Sequence, residues 1–102
     1  MQYQLVLQFN GDSLEDYDAM IALEDDLIQA LGDSADVDGH DVGAGEANIF
    51  IVTSEPEIAF NRAKAVLDRS QLLGAVTAAY RPVSGQTFTV LWPAHRQEFL
   101  VA

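Results

Sequence analysis

The sequence predicts a single α+β domain over residues 1–102, with a mainly antiparallel sheet and both long helices on one face. Three observations lead there. A length of 102 residues suits one small domain with one core, and 49% hydrophobic residues place it among globular chains. Short stretches of apolar–polar alternation are separated by two longer stretches of helical period. Turn residues, among them Asn10-Gly11, Gly32 and Pro82 to Gly85, fall at the joints.

Each element follows in order. Tyr3, Leu5, Leu7 and Phe9 alternate with Gln4, Val6 and Gln8, the pattern of a strand with one buried face. Asn10-Gly11 ends it. Ser13, followed three residues later by Asp16, is a variant capping box opening a helix that runs to about Leu31, with Gly32 as its stop. Asp36 to Val42 is a more polar strand suited to a sheet edge, and Asn48 to Val52, apolar on both faces, belongs in the sheet interior. A second helix is capped by Ser54, with Pro56 in its first turn and Glu57 three residues after the cap. Its apolar stripe is Ala59, Phe60, Ala63, Val66 and Leu67, up to about Arg69. Leu73 to Arg81 and Thr87 to Trp92 are two further strands, joined by the turn Pro82 to Gly85. The order β-α-β-β-α-β plus one strand is the split β-α-β arrangement of the ferredoxin-like superfold.

The core stretch VDGHDVGAGEANIFIVTSEPEIAF, Val37 to Phe60, resembles the centre of a group of short uncharacterised bacterial proteins, and that layout fits the rest of the chain. The resemblance implies no activity. The superfold hosts enzymes, metal carriers, regulators and RNA binders, so it does not choose among functions. Acylphosphatases share it and use an arginine-bearing, glycine-rich phosphate loop near the first helix. Here Phe9 to Leu14 reads FNGDSL, without arginine, and that family is set aside.

Charge is unevenly spread. Residues 1–61 contain fourteen Asp and Glu and no Lys or Arg, while residues 62–102 hold all five basic residues against Asp68 and Glu98. The two parts are formally −14 and +3, giving the −11 of the whole chain. Phosphate neutralisation supplies most non-specific nucleic-acid affinity, so no nucleic acid and no anionic membrane surface is expected as a partner. A basic protein is electrostatically easier, against the plainer account of a solvated, solubilising surface. The chain has no cysteine, hence no disulfide or zinc-thiolate site. No apolar run nears the roughly 20 residues that span a bilayer, and Met1 to Phe9 lacks the basic start of a signal peptide. The expected location is cytoplasmic.

Residues 36–50, DVDGHDVGAGEANIF, crowd four acids, a histidine and three glycines together. A calcium loop needs acids at positions 1, 3 and 5, glycine at 6 and glutamate at 12. Counting from Asp36 gives Asp38, His40, Asp41 and Ala47 there, which fails three times. In an extended strand residues 38 and 40 share a face and 41 points away, so His40 with its neighbouring acids makes a poor metal site. No metal and no cofactor is therefore expected. Gly43 and Gly45 suit a hairpin bend, and that is the reading of the stretch. No nucleophile elbow, triad order, dinucleotide loop or phosphate loop appears, so no catalytic residues are assigned. Trp92, with Pro93, His95 and Arg96, offers either a binding edge or a core tryptophan closing the last strand; the core reading is preferred.

Glu24 breaks the helix pattern. With Tyr17 at zero, Met20, Ile21, Leu27, Ile28 and Leu31 fall at about 300°, 40°, 280°, 20° and 320°, and Glu24 at about 340°, inside that apolar arc. A carboxylate desolvated there needs a partner such as Arg62, Lys64, Arg81 or His40. Glu24, His40 and Arg81 are accordingly the candidate ligand-binding residues, should the protein be an enzyme or small-ligand protein with a pocket around them.

A protein-binding module is the reading preferred over an enzyme. Its surface would be the helix-free sheet face, where Val6, Phe50 and Val52 are interface candidates and Gln4, Gln8 and Asn48 a polar rim. A homodimer is the first expectation, and another protein the second. An immunity or inhibitor protein directed at a basic partner also fits the charge. The competing account folds Pro93 to Ala102 back over that face.

Overall fold

A computed structural model of the chain, describing residues 1–10, 17–43 and 45–93, places β1 (Tyr3–Asn10) at the centre of a five-stranded sheet. Along the chain follow α1 (Tyr17–Leu31), β2 (Ala35–Gly43), β3 (Glu46–Thr53), α2 (Pro56–Arg69), β4 (Val76–Pro82) and β5 (Thr89–Trp92). The strand order is β2-β3-β1-β4-β5, and every neighbouring pair is antiparallel. Each β-α-β crossover skips one position: β3 fills the gap between β1 and β2, and β1 the gap between β3 and β4. That interleaving is the ferredoxin-like layout, extended by β5 at the β4 edge.

Alternation in β1 decides what each face of the sheet does. Leu5, Leu7 and Phe9 are fully buried on the side that both helices cover. Ile49 and Ile51 of β3 and Val76 and Ala78 of β4 join them, beneath Met20, Leu23, Leu27 and Leu31 of α1 and Ala59, Phe60, Ala63, Val66 and Leu67 of α2. The α2 stripe is thus buried as its period predicts. On the opposite face Val6 and its cross-strand partner Ala79 are also fully buried, with Phe50, Phe88 and Val90 packed against them. The chain builds two apolar layers, one large and one small.

Several elements differ from the sequence expectation. Ser54 does not cap α2: Glu55 precedes the helix and makes no side-chain cap bond. The junction is held instead by Thr53, whose hydroxyl accepts the Glu55 N–H at 3.1 Å and donates to the Ser34 carbonyl at 3.1 Å. Thr53 is buried at the end of β3, where burial makes both bonds necessary. β4 begins at Val76 and not at Leu73, because Leu73–Ala75 forms a single 3-10 turn first. In α1 the buried arc includes Leu23, while Ile28 is 51% exposed and Ile21 half-buried, so the face is rotated and Glu24 lies at its border. Gly32, at φ +55°, ends α1 in the left-handed conformation that glycine adopts without strain. The Ser13 capping box and most of the segment from Pro93 to Ala102 lie outside the described residues.

Candidate functional site

Where α1 meets β2, Glu24 and His40 come together. His40 Nδ1 and Glu24 Oε1 lie 2.9 Å apart, within hydrogen-bond distance, and with Nδ1 protonated the imidazole N–H donates to the carboxylate oxygen. The Glu24 side chain is 12% exposed and that of His40 25%. The pair bridges sixteen residues of sequence and links the first helix to the edge strand.

A β-bulge makes this possible. Val37 stands opposite Ile51, yet Gly39 stands opposite Phe50, so Asp38 is an extra residue with no counterpart on β3. An unbroken strand would put Val37, Gly39 and Asp41 on the helix face. The extra residue moves His40 to that face, opposite Ile49, and turns Asp41 away, opposite Asn48. Gly39 takes φ +148°, a value an L side chain rarely adopts, and that need explains a glycine in mid-strand. The reading of residues 36–50 is half met. The bend lies beside Gly45, at φ +76°, while the strand before it carries an irregularity that alternation alone does not reveal.

The other cations named for Glu24 are engaged elsewhere. Arg62 reaches the end of α1, donating from Nη1 to the Ser34 hydroxyl at 3.1 Å and, at 3.5 Å, to the Leu31 carbonyl. A cation suits a helix C-terminus. Lys64 Nζ sits 4.4 Å from the centre of the Trp92 ring. Arg81 lies on the helix-free face opposite Gln4, with Nη1 within 3.3 Å of the carbonyls of Pro82, Val83 and Gly85, and its guanidinium 5.9 Å from the Phe88 ring centre. Glu24 and His40 are therefore brought together and Arg81 is not, because the sheet separates it from them. Among the described residues no group of three or more His, Cys, Asp or Glu side chains converges as a metal site.

On the helix-free face Val6 is fully buried, whereas Phe50 and Val52 remain half-buried. Asn48 is buried rather than forming a rim, and its Oδ1 accepts a hydrogen bond from Gln8 Nε2 at 3.1 Å. Trp92 closes the core under α2: its indole N–H donates to the Leu73 carbonyl at 3.0 Å and its ring lies 6.4 Å from that of Phe60. His95 and Arg96 lie outside the described residues.

Comparison with protein-family models, curated proteins and solved structures finds no match to this chain.

Two concavities flank α2. One, of about 320 Å³, lies between α2 and β5 and is lined by Phe60, Lys64, Leu91 and Trp92 among others. The second, of about 370 Å³, sits at the start of α2 against Tyr3 and Tyr80. Sequence reasoning placed a pocket at neither, and in the second it singled out no residue as a site residue. Its residues come from β1, β4 and the β3–α2 junction, and only the pairing of β1 with β4 makes Tyr3 and Tyr80 neighbours. No helix of the described residues is long and apolar enough to cross a membrane.

Proposed function

We propose that the protein is a small protein-binding module whose acidic side, formed by α1 and β2, docks a basic protein partner. The observation that carries this reading is the placement of exposed carboxylates. Asp18, Asp25 and Asp26 on α1, Asp33 in the following turn, and Asp36, Asp38 and Asp41 on β2 are all exposed, on two elements that pack side by side. Lys64 and Arg69 belong to α2, and Arg81 to β4.

Two further features support charge recognition over strand addition. β2 is an edge strand whose bulge and acidic side chains discourage pairing with another strand. Carboxylates spread over two adjoining elements create a field that raises association rates with a basic surface and weakens as salt screens it. An immunity or inhibitor role toward a basic toxin or enzyme falls within this reading, and a cytoplasmic setting is part of it.

The test is capture from the cell of origin by the wild type and by an Asp25→Lys, Asp26→Lys, Asp36→Lys variant. A basic partner retained at low salt, released as salt rises, and lost by the variant supports the reading. A partner that the variant keeps, at any salt concentration, overturns it.

Self-association through the helix-free face is a second reading. Phe50 and Val52 favour it, because both remain half-buried beside the buried Val6.

A further inference from the structure

The cavity at the start of α2 gathers side chains that suit one class of ligand. Tyr3 and Tyr80 stand edge to face, ring centres 5.5 Å apart and planes at 86°, so together they form two walls of a corner. Glu55 and Glu57 also line the cavity, both exposed. Among the described residues neither carboxylate has an ion-pair partner, and no Lys or Arg lines the cavity. Ile58, 46% exposed, adds an apolar surface beside them.

We propose that this corner binds an organic ammonium cation, held against the tyrosine rings and neutralised by Glu55 and Glu57. Aromatic faces are electron-rich and attract cations, and they cost a poorly hydrated alkylammonium less desolvation than they would a small metal ion. Two carboxylates supply the long-range attraction. At about 370 Å³ the space lies near the lower end of the roughly 300–1,000 Å³ of small-ligand pockets.

An anion is disfavoured here even though a helix begins at the cavity. The positive end of a helix amounts to about half a charge. Two carboxylates outweigh it, and Pro56 at the start of α2 has no N–H to donate. Favourable interaction with the helix start accounts for Glu57 by itself. The same interaction reaches Glu55 at the N-cap, but it does not account for the two tyrosines. The site goes beyond the docking of α1 and β2, since its residues come from other elements.

The experiment is an NMR titration of the intact protein with tetramethylammonium chloride, against sodium chloride at equal ionic strength. Saturable shifts of the Tyr3 and Tyr80 ring signals and of the amides of residues 54–58, absent with sodium, are expected. Tyr80→Leu, and separately the pair Glu55→Gln and Glu57→Gln, should each weaken binding by roughly two- to fivefold, the size of an exposed cation–π contact. Tyr3→Leu replaces Tyr80→Leu if amide dispersion shows the latter unfolded. A parallel titration with a tetralysine amide separates the sources. Tighter binding of the peptide, read at the Tyr3 and Tyr80 ring signals and weakened in the same variants, identifies a protein lysine as the ligand, and binding of tetramethylammonium alone identifies a small quaternary amine. Shifts that sodium reproduces, or affinity unchanged in the folded variants, overturn the proposal.

Discussion

His40 Nδ1 and Glu24 Oε1 meet at 2.9 Å across the α1–β2 junction, with the carboxylate side chain 12% exposed. Removing the imidazole leaves that carboxylate largely desolvated and short of a partner. His40→Ala is expected to cost about 1–3 kcal/mol, the penalty for an orphaned buried polar group. Chemical denaturation of His40→Ala, Glu24→Gln and the double variant measures the coupling. A coupling above roughly 0.5 kcal/mol is expected, and strictly additive losses would show that the contact contributes nothing.

Gly39 supplies the second prediction. Its φ of +148° strains any L residue although nothing lies within 4 Å of an added Cβ, whereas Gly43 has equal space and no positive φ. Gly39→Ala should therefore destabilise by roughly 1 kcal/mol or more, and Gly43→Ala should change stability little. Thermal unfolding of the two variants checks this. Equal effects would mean that the bulge is not held by the glycine conformation.

Thr53 and Ser54 make a paired test. Thr53→Val keeps the shape and removes a hydroxyl that makes two bonds at the β3–α2 junction, so a loss of about 1–3 kcal/mol is expected. Ser54 is exposed, and the residue that begins the helix cap is Glu55. Ser54→Ala should stay within roughly 0.5 kcal/mol of the wild type. Urea midpoints decide between the two hydroxyls, and a larger loss at Ser54 would reassign the cap.

Arg81 closes the β4–β5 turn through three carbonyls. A lysine ammonium is a point charge on a flexible stem and cannot reproduce the planar guanidinium against Phe88. Arg81→Lys should lower stability by about 1 kcal/mol, with amide shifts concentrated in residues 82–89. Shifts around Glu24 instead would place Arg81 in the α1–β2 site after all.

For the helix-free face, light scattering of the wild type and of Phe50→Asp tests self-association. A dimer converted to a folded monomer is expected under that reading, and a monomeric wild type at micromolar concentration ends it.

Local pattern was enough for much of this architecture. Alternation in Tyr3 to Phe9 and the helical stripe from Ala59 to Leu67 identify buried faces, because side-chain direction repeats with a period that belongs to the backbone itself. The double-sided apolar run around Ile49 and Ile51 marks an interior strand for the same reason. Glu24 was legible as an anomaly, a carboxylate among apolar neighbours that required a partner. Which cation answered it was not legible.

Tertiary structure decided the rest. One extra residue at Asp38 reversed the facing of His40, and a bulge is defined only against the strand opposite. The sheet carried Arg81 to the far side from Glu24, a separation no spacing in the chain reveals. Thr53 displaced Ser54 at the α2 junction because it faces the buried side and can reach Ser34, nineteen residues earlier. Tyr3 and Tyr80 meet because β4 pairs with β1, leaving two rings from opposite ends of the chain 5.5 Å apart. Composition and period thus determined which residues are buried and in what elements, since those depend on hydration and local backbone geometry. Pairings between distant side chains were left to the sheet order and register, which arise only when the whole chain packs.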